Sequence, residues 1–312
     1  MVLILRALGL GDFLTGVPSY RAVRNAFPGH RIVLAAPPAL EPLARLTGSV
    51  DEVLASRPLE RLAGRIRSPE VAVNLHGKGP QSTRILLELD PDRLVSFANA
   101  EVAETAGMPE WRPHEHEVHR WARLLNECSV PCDPTRLELD LSDVPAAPEV
   151  EGATVVHPGA AYGARRWPVE RWAEVAASEV SQGRRVVVTG GPEERDLAER
   201  LAALAGLPSG DVLAGRTDLV SLAAVVARAG RVLCADTGVA HLATATRTPS
   251  VVLFGPTSPQ RWGPPPDRPW HQALWHGSVG DPLGAEPDRG LLAITVDEVL
   301  AALERLPEKQ KA

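Results

Sequence analysis

Along the whole chain, short apolar runs that end in Gly, Asp, His or Pro alternate with longer segments of helical character. No other feature limits the fold as sharply. In the first half, residues 2–8, 31–36, 51–54, 71–75 and 93–97 read as strands. Residues 13–26 (across Pro18), 42–46, 58–67, 81–89 and 116–128 read as helices. The second half repeats the pattern, with strands expected at 153–157, 185–189, 231–235 and 250–254 and a short segment near Val212. Helices are expected at 169–182, 193–204, 218–229, after Asp236, and at 296–306. Such alternation implies an α/β protein with parallel sheets covered by helices on both faces. Between the halves, Ser142-Asp143-Val144-Pro145-Ala146-Ala147-Pro148-Glu149 has no apolar period and reads as a linker. The 312 residues are enough for two domains, each with its own core. We therefore expect two doubly wound domains, 1–146 and 147–312, with a cleft between the carboxyl ends of their sheets.

Composition narrows the partners. A net charge of −6 argues against nucleic acid, which demands a basic face. Only 4% of residues are aromatic, so the cores must be aliphatic. Cys128, Cys132 and Cys234 form no C-x-x-C pair, and a reducing cytoplasm is the expected location. The apolar start, residues 1–5, meets Arg6, Gly9, Gly11 and Asp12 and reads as a first strand. It is too short for a signal peptide or a membrane span, and no integral membrane association is expected. A short polar tail, Lys309, Gln310 and Lys311, is too weak to serve as a basic amphipathic anchor.

The loops that follow the strands carry the chemical signals. Ala235-Asp236-Thr237-Gly238-Val239-Ala240-His241 joins a buried apolar run to an Ala-rich helix start. A strand entering a helix through this turn leaves unpaired N–H groups at the positive end of a helix dipole, which suits phosphate. Thr237 adds a hydroxyl, Gly238 permits close approach, and His241 sits one turn inside the helix. His157-Pro158-Gly159 leads through small residues to Arg165-Arg166-Trp167-Pro168. Those two arginines are either solvated charges or fork donors for phosphate oxygens. In Thr189-Gly190-Gly191-Pro192-Glu193-Glu194, Gly190 allows backbone approach. Glu193 either accepts from ribose hydroxyls or favours the positive helix end. Leu213–Asp218 is either a wall around a base or a plain turn, and Phe254-Gly255-Pro256-Thr257-Ser258-Pro259 is a further candidate loop. Gly9-Leu10-Gly11-Asp12 begins like a dinucleotide fingerprint, but Leu14 stands where a third glycine belongs. Asp12 is either an N-cap or a general base.

The remaining first-half signals are weaker. Asn74, His76, Lys78 and Gln81, which follow a strand, and Arg57, Arg61, Arg65 and Arg67 along a nearby helix either face the expected cleft or are solvated surface. Gly11, His76 and Lys78 are the candidate ligand contacts of this half. His114, His116 and His119 can share a helix face, yet no Cys or further carboxylate cluster completes a site, so no metal is expected. Residues 1–144 hold 16 Lys and Arg against 19 Asp and Glu, so this half offers no strongly basic face.

Together, G-L-G-D, H-P-G…R-W-P, T-G-G-P-E-E, D-T-G-V-A-H and F-G-P-T-S-P resemble glycosyltransferase family 9, the ADP-heptose:lipopolysaccharide heptosyltransferase family. The resemblance implies the GT-B fold, with an N-terminal acceptor-binding domain and a C-terminal domain that holds a nucleotide-sugar donor, ADP-linked by preference. It implies that Asp12 is the catalytic base, that Asp236, Thr237, Gly238 and His241 line the sugar-diphosphate site, and that Glu193 binds ribose. His157, Gly190 and Arg165 or Arg166 complete the donor set; the basic residue before W-P is often Lys in the family. The implied reaction is an inverting, metal-independent and cofactor-free transfer to a lipopolysaccharide-core or other glycoside hydroxyl. A nucleotide-sugar epimerase of the same architecture and a nucleotide-binding module without turnover are the alternatives.

Overall fold

The computed structural model describes residues 1–145 and 147–309. The expected boundary residue Ala146 and the tail residues Gln310 and Lys311 lie outside them. The chain divides into two compact units, Met1–Asp140 and Leu141–Ala312.

In the first unit the elements run β1 (Val2–Leu5), α1 (Leu10–Thr15), α2 (Val17–Ala26), β2 (Ile32–Ala36) and α3 (Glu41–Leu46). They continue with β3 (Glu52–Ala55), β4 (Val71–Asn74), α4 (Gln81–Leu87), β5 (Arg93–Val95) and α5 (Glu117–Glu127). The strands form one sheet in the order β3-β2-β1-β4-β5, parallel throughout. Strands β1, β2 and β4 are buried on both faces, which is why they read as unbroken apolar runs rather than alternating ones. Leu3, Leu5, Val33, Ala72 and Leu86 pack into one core cluster. Burial of each such leucine or valine contributes about 1.5–3 kcal/mol.

The second unit holds β6 (Thr154–His157), α6 (Val169–Ser181), β7 (Val186–Val188), α7 (Arg195–Ala205), α8 (Leu219–Arg228) and β8 (Arg231–Ala235). After these come α9 (Gly238–Ala245), β9 (Ser250–Leu253), α10 (Pro259–Trp262), β10 (His271–Leu274), α11 (Arg289–Ala293) and α12 (Val296–Glu304). Its parallel sheet has the order β10-β9-β8-β6-β7. Trp172, Val188, Leu201, Leu253, Ile294 and Leu303 share its core, with Trp167 and Trp172 packed edge to face at 5.1 Å.

Each sheet reverses its strand order once, between β1 and β4 in the first unit and between β6 and β8 in the second. Loops at the carboxyl ends beside such a reversal diverge and leave a crevice, where ligands of open α/β sheets bind. The reversals place Arg6–Asp12 beside Leu75–Lys78 in one unit. In the other they place the H-P-G loop beside the D-T-G turn.

Several expected elements differ. The helix expected over 13–26 is two helices separated at Gly16, where a Cβ would run into the phenol of Tyr20. Residues 58–67 form no helix. Leu59, Gly64 and Ser68 all carry positive φ, and only Leu62 is firmly buried there. The arginines expected along that helix instead make separate contacts, Arg61 with Glu88 at 2.7 Å and Arg65 with the Ala55 carbonyl at 2.6 Å. Strand β10 follows a Pro-rich stretch and was not expected. Among the described residues no helix is long and apolar enough to cross a membrane.

Candidate functional site

In the second unit the D-T-G turn connects β8 to α9. Thr237 is the N-cap residue, in extended backbone conformation (φ −143°, ψ 175°), but its side chain makes no capping bond. Its Oγ1 is buried and has no hydrogen-bond partner. A ligand oxygen at this helix end would give that hydroxyl a hydrogen-bond partner. Asp236 is buried, and burial pushes its carboxyl up to about 6 against the opposing charge of Arg165.

The two arginines of R-R-W-P part company. Arg165 Nη1 donates to the Asp236 carbonyl at 3.0 Å, its guanidinium lies 5.8 Å from the Tyr162 ring, and its Nε is buried without a partner. Arg166 Nε turns back to the Ala160 carbonyl at 2.9 Å. Arg165 is therefore the cation next to the D-T-G turn, and its unused N–H and the unused Thr237 hydroxyl are each suited to an anionic oxygen.

His157 ends β6 with Nδ1 3.1 Å from Thr189 Oγ1 and Nε2 3.8 Å from Glu194. Burial lowers its pKa, opposed by Glu194. Glu194 accepts from the Gly191 N–H at 2.8 Å and joins the H-P-G and T-G-G loops. Its neighbour Glu193 is exposed, and Gly190 is buried with its carbonyl accepting from Gly215 at 3.0 Å. Gly238 is half-buried in the first turn of α9. One turn on, the His241 ring stands 5.9 Å from Trp262 of α10.

One supporting segment is absent from the expectations. Residues 275–288 strap the Arg165 loop in place: Gly284 O accepts from Ala164 N at 2.9 Å and Asp288 N donates to Ala164 O at 3.2 Å. Trp275 Nε1 pins the strap to Gly255 O at 3.1 Å. No periodicity marks this Gly- and Pro-rich stretch, so only the contacts reveal it. A Cβ at Gly163 would overlap the Ala285 carbonyl oxygen. We expect Gly163→Ala to lower the melting temperature by several degrees and to raise the KM of any substrate that Arg165 holds, because Arg165 moves with the strap. A variant with unchanged melting and KM would show that the strap gives way freely.

In the first unit Asp12 is not the N-cap. That position belongs to Gly9, and Asp12 lies three residues on, in the first turn of α1. Its pKa is raised by burial, opposed by Arg6 and helped upward by Glu117. The Arg6 guanidinium is fully buried, 3.8 Å from Asp12 Oδ1 and 3.0 Å from Glu117 Oε1. It also donates to Thr15 Oγ1 at 3.0 Å and to the carbonyls of Asp12 and Leu75. Glu117 in turn accepts from Trp121 Nε1 at 2.7 Å and pairs with Arg120. Burial opposes its charge, but Arg6 and Arg120 outweigh that and hold its carboxyl below the usual range. Removing one member of such a buried pair costs about 3–5 kcal/mol.

Beside Arg6, His76 has a buried Nδ1 without a partner. Burial and the Arg6 charge push its pKa down to about 4, so it is neutral at ordinary pH. Gly11 is half-buried in α1 and Lys78 is exposed after β4. Asn74 does not face outward as expected. It is fully buried, donates to Ser82 and Thr83 at 3.0 Å, and accepts from His76 N at 3.1 Å, so it shapes the loop. His116 is the N-cap of α5, its Nδ1 accepting from Val118 N at 3.3 Å. Among the described residues no group of three or more His, Cys, Asp or Glu side chains is arranged to hold a metal ion.

These geometries can be set beside known proteins. The family model of glycosyltransferase family 9 (heptosyltransferase) matches residues 108–278. Over 161 residues the chain is 33% identical to lipooligosaccharide heptosyltransferase 2 of Haemophilus influenzae, covering 49% of this chain and 46% of that protein. It is 30% identical over 161 residues to lipopolysaccharide heptosyltransferase 3 of Escherichia coli, with the same 49% and 46% covered. The chain thus spans about half the length of the curated relatives it matches. Among solved structures, the glycosyl transferase family 9 protein of Veillonella parvula superposes with a TM-score of 0.78 at 18% identity, covering 97% of this chain and 95% of that one. E. coli ADP-heptose lps heptosyltransferase II gives 0.77 at 20% identity, covering 97% of each chain. E. coli heptosyltransferase WaaC with ADP gives 0.74 at 19% identity, covering 97% of this chain and 98% of that one. At these identities the likeness establishes a shared fold, GT-B. More than half of the chain lies within the family match, and the protein belongs to glycosyltransferase family 9, the heptosyltransferases.

Proposed function

We propose that this protein is an inverting, metal-independent glycosyltransferase that moves a sugar, a heptose by preference, from an ADP-linked donor to a glycoside hydroxyl. The observation that carries the reading is the placement of Thr237 Oγ1, Arg165 Nε and the α9 N-terminus on the loops at the switch point of the second sheet, with Arg165 bonded to the Asp236 carbonyl. Two of these are buried donors without partners, and the third is a helix end suited to phosphate. The solved structures of E. coli WaaC with ADP and with ADP-2-deoxy-2-fluoro heptose support an ADP-sugar as the donor. Lipopolysaccharide heptosyltransferases among the relatives support a lipopolysaccharide-core or related glycoside as the acceptor. In this reading the second unit, Leu141–Ala312, binds the donor and the first, Met1–Asp140, the acceptor, on the cytoplasmic side.

The chemistry is a single displacement. The acceptor oxygen attacks the anomeric carbon as its proton passes to Asp12, and the bond to the diphosphate oxygen breaks with its electron pair on the leaving group. Attack from the opposite face inverts the anomeric configuration. Arg165, Thr237 and the Gly238 end of α9 meet the charge that grows on the diphosphate, stabilising the transition state more than the ground state. His241 and Asp236 border the same turn, and His157 and Gly190 shape its neighbours. Glu194, turned inward while Glu193 is exposed, shares with Glu193 the claim to the ribose hydroxyls. Gly11, His76 and Lys78 remain the proposed acceptor contacts.

A thermal-shift panel of ADP-, GDP-, UDP- and dTDP-sugars tests the donor, since a ligand of the native state raises the melting temperature. The expected result is a shift with ADP-heptose that persists in excess EDTA, with transfer activity equally unaffected by the chelator. A sugar isomer released from the donor without any acceptor would replace this reading with an epimerase.

A further inference from the structure

We infer that Glu117 is a positioning residue for Asp12: by taking the closer of the two carboxylate partnerships open to Arg6, it leaves Asp12 oriented by that guanidinium but not locked to it. This rests on the reading of Asp12 as the base. The distances carry the argument. Arg6 Nη2 lies 3.0 Å from Glu117 Oε1 but 3.8 Å from Asp12 Oδ1. A carboxylate gripped by an arginine fork is a weak proton acceptor. A base needs proton affinity suited to the working pH.

The rest of the guanidinium is committed elsewhere. It donates to the Asp12 and Leu75 carbonyls and to Thr15 Oγ1, which itself donates to Asp12 O at 2.9 Å. Arg6 thus holds the backbone of the first turn of α1, and the Asp12 side chain, 30% exposed, keeps access to solvent. Glu117 cannot swing away, because Trp121 Nε1 and Arg120 hold its two oxygens. The charged and titratable groups that face this cluster are Arg6, Tyr20, His76, Glu117 and Arg120. Tyr20 is fully buried with its phenol pushed up by burial, and His76 is neutral. Arg6 and Glu117 are the fixed charges that act on Asp12, and Arg120 acts on Glu117.

The test reads the Asp12 carboxyl directly and the reaction separately. In 13C-labelled full-length protein, the Asp12 carboxyl resonance is assigned by its loss in Asp12→Asn and titrated in wild type and Glu117→Gln. With Glu117 neutral, Arg6 acts on Asp12 alone, and the Asp12 midpoint is expected to fall by about half a pH unit or more. The acidic limb of kcat/KM should move with it, while Glu88→Gln, on the surface, moves neither. An unmoved or rising Asp12 midpoint overturns the inference. A falling midpoint with an unmoved kinetic limb keeps the coupling and overturns Asp12 as the base. Should Glu117→Gln fail to fold, Arg120→Gln serves instead: it frees more of the Glu117 charge for Arg6, and the midpoint should rise. If neither variant folds, a wild-type Asp12 midpoint below the ordinary aspartate range overturns the inference, and one above it supports it.

Discussion

Replacing Asp12 with alanine should lower turnover by about 100-fold or more, the usual scale for loss of a general base, while the dissociation constant for the donor stays within about threefold. The separation follows from the fold. Asp12 lies in the first turn of α1, whereas the proposed diphosphate site is built from β8, α9 and the Arg165 loop of the other unit. The helix should survive the change, since Gly9 is the N-cap and Arg6 grips the Asp12 backbone carbonyl rather than depending on its side chain. Asp12→Asn, which preserves shape, should be about as slow as Asp12→Ala. Steady-state kinetics with calorimetric titration of the donor would measure both quantities. Turnover near that of the wild type in either variant removes Asp12 from the chemistry.

Arg165→Met should lower kcat/KM for the donor by about 100- to 1,000-fold, the range seen when one preorganised donor to a developing charge is lost. Arg165→Lys should recover only part of this, because an ammonium keeps the charge but not the planar set of N–H groups. The adjacent Arg166→Met is the control: its Nε is engaged with the Ala160 carbonyl, and its loss should cost less than tenfold. If Arg166→Met proves the more damaging of the two, the cation next to the D-T-G turn has been assigned to the wrong side chain. Melting temperatures separate this from collapse of the loop, which the Ala164 bonds to Gly284 and Asp288 should hold in both variants.

How much of this was legible beforehand depends on the range over which each feature is determined. Strands such as Val2–Leu5 and Ser250–Leu253 are buried on both faces and announce themselves as apolar runs. The loops after them carry glycine, histidine and acidic residues at positions that local reasoning can place. The break at Gly16 falls two residues before Pro18, whose missing N–H ends the ladder of α1 and opens α2; what was not legible is the phenol of Tyr20, packed where a Cβ at position 16 would stand. The irregular path of residues 58–67 also escaped notice, since its charged composition suits a helix and only the positive φ values reveal otherwise. Arg6 and Glu117 were missed for the plainest reason. They are 111 residues apart, and a buried ion pair leaves no periodic trace. The choice between Arg165 and Arg166 likewise needed coordinates, for adjacent identical side chains differ only in where the backbone aims them.

The chain passes from one unit to the other once, between Asp140 and Leu141, and each unit closes its own sheet. Under the proposed division of labour, the loops behind β2, β3 and β5 belong to one unit and the D-T-G turn to the other, so inheritance can alter the first set while the sequence of the second is kept. A lineage built this way can acquire new recipients while retaining its currency of activated sugar.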